Sequence, residues 1–329
     1  MPTEARYYEK LEGTKVHCHL CPHECVIADG KAGFCRVRQN RDGTLYATTY
    51  GRVAAVAMDP IEKKPLYHFQ PATQILSLGQ AGCTFRCEFC QNYHMLNPDI
   101  PQNPLPPEEA VHLAARENSA GIAYTYNEPY LGFEYVVDTG KLAHEKGLKN
   151  IMVTNGYYMP EPFRELAPLV DAMNIDLKSI REEFYREHSH GGLEHVQRTI
   201  EEAFRRGIHV ELTNLLITGL NDSEEDVGAL VNYIAGISPE IPLHLSRYRP
   251  AFQMTRPPTP VEVLQRAYRI ASEKLDYVYI GNVMGAGGTD TQCPECGEVL
   301  VKRSGYSTQI KALEDSRCGA CGHEVNFVR

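Results

Sequence analysis

The chain has 329 residues, 43% of them hydrophobic and 23% charged, with a formal net charge of −9. That composition is ordinary for a folded protein, long enough for one barrel-sized core with appendages, and it excludes a global basic field that would gather nucleic acid. Met1–Lys15 is polar and no stretch of roughly eighteen apolar residues occurs, so no signal peptide, no membrane span and a cytoplasmic location are expected.

Eleven cysteines fall into groups of four, three and four: Cys18, Cys21, Cys25 and Cys35, then Cys83, Cys87 and Cys90, then Cys293, Cys296, Cys318 and Cys321. Clustering of this kind without a secretory signal favours metal ligation over disulfides. The first group, C-x2-C-x3-C-x9-C, lets four sulfurs converge. It reads as a small structural site for zinc, with iron–sulfur as the second choice and His17, His19 and His23 as alternative ligands. Residues 44–70 read as a short hairpin leading into the core.

From Ile75 onward short β-branched runs alternate with amphipathic helical stretches. Strands are expected at 75–79, 121–126, 150–154, 172–177, 208–217, 241–248 and 276–280, and helices at about 107–118, 130–147, 160–168, 190–206, 222–236 and 259–274. Leu193, Val196, Ile200, Ala203 and Phe204 form one apolar stripe ended by Gly207, and Asn221-Asp222-Ser223 offers an N-cap to the next helix. Such alternation implies parallel strands with right-handed crossovers, a partial or complete (β/α) barrel whose site gathers at the C-terminal strand ends. Three units follow: a Cys-rich extension and hairpin at 1–70, the barrel at 71–284, and a glycine-rich linker with a tail at 285–329. In the tail, two C-x2-C-Gly knuckles read as a four-thiolate zinc ribbon, since so few residues cannot build an independent core.

The first expected strand runs into Cys83-Thr84-Phe85-Arg86-Cys87-Glu88-Phe89-Cys90. Three thiolates on one loop can hold three corners of a four-iron, four-sulfur cube and leave the fourth iron without a protein ligand. At later strand ends stand Glu128, Thr154 and Asn155, and then Asn174, Asp176 and Lys178, which a period of two sends to one face. A buried Asp and Lys need each other or a ligand. Thr213, His244 and Ser246 lie on faces that can turn inward.

The C-x3-C-x2-C loop, with aromatic Phe89 before its last Cys, resembles the signature of radical S-adenosylmethionine (SAM) enzymes. The resemblance implies a 4Fe-4S cluster on Cys83, Cys87 and Cys90 whose open iron chelates SAM, and one-electron cleavage to a 5'-deoxyadenosyl radical. It carries Glu128 to the SAM amino group, although Asn127-Glu128 departs from the usual Gly-Gly-Glu. The Thr-Asn-Gly and Asp-Leu-Lys segments look like those of pyruvate formate-lyase activating enzymes. That likeness assigns Lys178 to the SAM carboxylate, Asn155 to the SAM pocket, Thr154 and Asp176 to the pocket or a monovalent cation, and His244 to the adenine.

The chain as a whole resembles the AmmeMemoRadiSam-system radical SAM proteins. A low-potential donor such as flavodoxin or ferredoxin is implied, and the substrate stays open among a protein glycine, an RNA nucleoside and a small metabolite. A non-catalytic electron carrier and a zinc-ribbon binding module are the alternatives.

Overall fold

A computed structural model describes residues 3–329; the first two residues of the Met1–Lys15 stretch lie outside them. Its centre is an eight-stranded sheet of β1 (Ala55–Pro60), β2 (Gln74–Gly79), β3 (Gly121–Tyr124), β4 (Lys149–Thr154), β5 (Ala172–Asp176), β6 (His209–Leu216), β7 (Leu243–Arg247) and β8 (Val278–Gly281), hydrogen-bonded in that order. Strands β2 to β8 are parallel, with pairs such as Ile122↔Leu76, Asp176↔Thr213 and Ser246↔Gly281.

Residues 44–70 differ from expectation. Only Thr44–Ala47 belongs to a hairpin, paired with Arg38–Arg41, while β1 runs antiparallel along β2 from Ala55↔Gly79 to Pro60↔Gln74. The sheet is open, with β1 and β8 at its edges. It nevertheless curls, because Cys83 after β2 and Asn282 after β8 line one cavity.

The longer helices between the parallel strands are α1 (Pro107–Arg116), α2 (Phe133–Glu145), α3 (Pro160–Leu166), α4 (Leu193–Arg205), α5 (Glu224–Ile237) and α6 (Val261–Ser272). α4 buries Leu193, Val196, Ile200 and Ala203, but Phe204 at the stripe's margin is 38% exposed. Ser223 caps α5 by accepting from the Asp226 N–H at 3.1 Å, a contact worth about 1 kcal/mol. α2 starts later than its periodicity suggests. Pro129–Gly132 forms a separate 3-10 turn capped by the Glu128 carboxylate.

The N-terminal end of the curled sheet is filled. Ile61, Leu66 and Phe69 pack against Ile75, Ala123, Ile151 and Ala172. Glu211 lies fully buried there and accepts from the Tyr67 and His68 N–H groups at 3.0 and 2.7 Å, with His209 and His244 at its oxygens. The tail closes this end. Val328 bridges Phe69, Phe327 stacks on His68 at 4.1 Å, and Arg303 donates to the Tyr67 carbonyl at 2.7 Å while covering its ring. The glycine-rich segment is tied to the sheet edge as well, since the Ile280 N–H donates to the Gly288 carbonyl at 2.8 Å. No helix among the described residues is long and apolar enough to cross a membrane.

Candidate active site

The open, C-terminal end of the sheet carries a cavity of about 410 Å³. The Cys loop enters it directly from β2, and its conformation is set from outside the loop. The Arg86 and Glu88 N–H groups donate to the Ser189 and His188 carbonyls at 2.9 and 3.2 Å. Buried Phe85 lies against Gly191, where an added Cβ would stand 2.1 Å from the ring. Cys83, Cys87 and Cys90 all line the cavity, and no other cysteine among the described residues does. Burial pushes all three thiols up, Cys90 to about 11, so their thiolate forms call for positive charge at the site.

Opposite the loop, Lys178 Nζ donates to Asp176 Oδ2 at 2.9 Å and stands 5.8 Å from the Phe89 ring centroid. Burial alone would pull the lysine down, but the Asp176 carboxylate holds it above its ordinary value, so it stays an ammonium. The period-two reading of this strand end holds in space: Asn174 on the same face accepts from Thr213 Oγ1 at 2.9 Å. Thr213 and Ser246 line the wall.

Glu128 lines the same cavity, as Thr154 and Asn155 do. Its carboxylate accepts from Thr154 Oγ1 at 2.8 and 2.9 Å, from the Asn155 and Tyr130 N–H groups at 2.8 and 3.1 Å, and from the Tyr158 hydroxyl at 3.3 Å. It clamps the ends of β3 and β4 together with little acceptor capacity left over. Burial nonetheless pushes it up to about 7 against these donors. Asn155, fixed in this way, donates from Nδ2 to Thr84 Oγ1 at 2.8 Å and lies 3.7 Å from Cys83 Sγ.

His244 does not reach the cavity. It sits two residues below Ser246 on β7, and its Nε2 is 2.7 Å from Glu211 in the filled end of the sheet. The buried carboxylate at Glu211 needs that partner, which the strand pattern alone did not reveal.

Other cavity groups went unread in the sequence. Buried Lys64 pairs with Asp59 at 2.7 Å, Tyr126 donates its hydroxyl to the same carboxylate at 2.6 Å, and Tyr306 reaches the cavity from the tail. Tyr126 has a positive φ of 71°, a strained conformation next to the site. The only local signal for it was the Tyr-Asn-Glu-Pro turn.

The remaining cysteines form two sites of different geometry. In the tail all four Sγ atoms lie within 4.8 Å of one another, with two separations of 3.7 Å, as expected around one tetrahedral ion. Cys18, Cys21, Cys25 and Cys35 line one small cavity.

The radical SAM superfamily profile matches residues 78–234. An uncharacterized protein of Methanocaldococcus jannaschii is 45% identical over 333 residues, covering 99% of both chains. Clostridium pasteurianum pyruvate formate-lyase-activating enzyme is 24% identical over 162 residues, 47% of this chain and 67% of that one. The solved radical SAM methyltransferase of Sphaerobacter thermophilus shares the fold at a TM-score of 0.50 and 19% identity, over 64% of this chain and 67% of that one. A curled parallel sheet with three thiols after its first parallel strand fits that class, and residues 78–234 of the chain are a radical SAM domain. Two of the relatives it matches over about half of its length, that of Clostridium pasteurianum and a 4-hydroxyphenylacetate decarboxylase activating enzyme of Clostridium scatologenes, are named as activating enzymes.

Proposed function

We propose that the chain is a SAM-cleaving enzyme whose active centre is the cavity between the Cys loop and the Asp176–Lys178 pair. The observation that carries this reading is the meeting, in one cavity, of three thiols without a fourth and a buried ammonium beside a carboxylate. These residues fit the implied cofactors: three sulfurs suit an incomplete four-iron cluster, and the ion pair suits a ligand that carries both charges. When bound, cluster and SAM supply one-electron cleavage of the sulfonium to a 5'-deoxyadenosyl radical that takes hydrogen from a substrate.

The chain's own residues hold and orient. Cys83, Cys87 and Cys90 would hold the cluster, with Phe89 lining the same cavity. Lys178 offers its ammonium to the SAM carboxylate, with Asp176 fixing its direction. Glu128 is a positioning residue that sets Thr154 and Asn155, while Asn155 steadies the loop at Thr84 and Cys83. Thr213 and Ser246 shape the wall. The tail quartet holds zinc and secures the closed end of the sheet. In this reading 1–70, 71–284 and 285–329 act as three units, a low-potential protein supplies the electron, and the substrate is a protein glycine, an RNA nucleoside or a metabolite.

Electron paramagnetic resonance of anaerobically reconstituted, reduced protein tests this proposal. A cluster signal that changes on adding SAM, and is lost in Cys83→Ala/Cys87→Ala/Cys90→Ala, is expected; a wild-type spectrum with no component that responds to SAM would remove the reading.

A further inference from the structure

The Cys18, Cys21, Cys25 and Cys35 group has a geometry that sets it apart from the tail. All four side chains line one cavity of about 10 Å³, together with Leu20, Ile27, Phe34 and Arg38 among others. Yet among the described residues the tail is the only all-cysteine group whose sulfurs lie within 4.8 Å of one another, and no three of the N-terminal four meet that spacing. Four thiolates around one zinc at about 2.3 Å stand under 4 Å apart and leave no water-sized hole between them. The catalytic loop, which offers three sulfurs to a cube, is spread beyond 4.8 Å in the same way. The N-terminal quartet therefore matches the cluster-type loop and not the zinc-type tail.

A second observation points to an anionic occupant. Arg38 is 1% exposed and lines this cavity, and its Nε–H has no acceptor. Its other nitrogens are held by Glu134 at 2.8 and 3.2 Å and by the Arg6 carbonyl at 2.6 Å, so the guanidinium is fixed. A buried donor left without an acceptor destabilises the fold, and a thiolate-ligated iron–sulfur core offers both the sulfur acceptors and the negative charge.

The site also touches the catalytic loop. A Cβ on Gly82 would meet the Cys35 carbonyl at 2.9 Å, His23 Nε2 lies 2.7 Å from the Thr84 carbonyl, and Arg86 is within electrostatic reach of Cys35, Cys83 and Cys87. Cys25 is only partly buried, which gives the quartet a face toward solvent.

We propose that Cys18, Cys21, Cys25 and Cys35 bind a second iron–sulfur cluster that relays electrons from a reduced donor protein of the ferredoxin or flavodoxin class to the cluster on Cys83, Cys87 and Cys90. The donor loses one electron, the N-terminal cluster gains it and passes it on, and no proton or bond changes hands on the way. The relay rests on the catalytic reading given above, whereas the presence of the second cluster does not.

Iron and zinc analysis with electron paramagnetic resonance of anaerobically reconstituted protein tests both parts. Wild type is expected to hold about eight iron atoms per chain, and Cys83→Ala/Cys87→Ala/Cys90→Ala about four, with a reduced-state signal indifferent to SAM. An iron-free triple variant carrying a zinc ion beyond the one in the tail would overturn the proposal and leave the catalytic reading standing. About four iron atoms in both proteins would support the second cluster and remove the catalytic one. For the relay, Cys21→Ser/Cys35→Ser should slow reduction of the catalytic cluster by reduced ferredoxin at least about tenfold and leave reduction by dithionite unchanged. Equal rates with ferredoxin would overturn it. The triple variant's iron content stands independently if the serine variant does not fold.

Discussion

Replacing Lys178 by methionine removes the ammonium assigned to the SAM carboxylate and keeps a chain of similar length. The side chain is 13% exposed and its carboxylate partner Asp176 is 37% exposed, so Asp176 can regain water after the substitution. The change in folding stability should therefore stay within about 1 kcal/mol, because an apolar near-isostere of a buried ion-pair member costs little when its partner rehydrates. Binding should respond much more. A hydrogen bond to a charged group contributes about 1.5–3 kcal/mol, which corresponds to a rise in Kd for SAM of about 10- to 150-fold. Equilibrium dialysis of anaerobic, iron-replete protein against labelled SAM measures it, with iron content as the control for the nearby loop. A Kd within about twofold of wild type would refute the assignment of Lys178.

Gly191→Ala places a Cβ 2.1 Å from the Phe85 ring and should destabilise the chain by about 1–3 kcal/mol through overpacking; denaturant unfolding and a lowered iron content at the Cys loop would reveal it, and Phe85→Leu in the same chain should restore part of both. Stripping the zinc proposed for the tail quartet, by chelator or by Cys296→Ser, should remove a contribution on the order of 10–16 kcal/mol to folding of the ribbon, seen as selective proteolysis within residues 289–329. His68 supplies a pH dependence. Burial pulls it down from 6.5 to about 3, with its neutral ring held by the Asn326 carbonyl and the Tyr279 hydroxyl. Because the folded state disfavours the charged form, its contribution is complete above the unfolded value and is lost as pH falls. Urea unfolding should show about 2–3 kcal/mol less stability at about pH 4.5 than at about 7.5 from this residue, and His68→Gln should flatten that slope.

The alternating part of the fold was legible because strands such as Lys149–Thr154 and helices such as Val261–Ser272 carry their period in local sequence. The expected boundaries differ from the observed ones by only a few residues. Asp176 and Lys178 could be paired from parity alone. What stayed hidden depends on contacts between residues far apart in the chain. β1 shows no marker distinguishing it from hairpin, since its partner β2 supplies the reason it is a strand. His244 sits where the barrel rule favours a ligand contact, but Glu211 and the segment carrying Tyr67 and His68 claim that end of the sheet. The support of the Cys loop by residues 185–191 depends on a Phe85–Gly191 contact across about a hundred residues of chain. The docking of the tail through Phe327 and Arg303 is equally non-local.

Cleavage of SAM at the three-thiol loop and its cavity is what the proposed function requires. Its most direct measurement is chromatographic quantitation of 5'-deoxyadenosine formed by reduced, anaerobically reconstituted protein. Product is expected from wild type and none from Cys83→Ala/Cys87→Ala/Cys90→Ala; equal amounts from both, or none from a wild type whose cluster is shown to be reduced, would rule out SAM cleavage at this site.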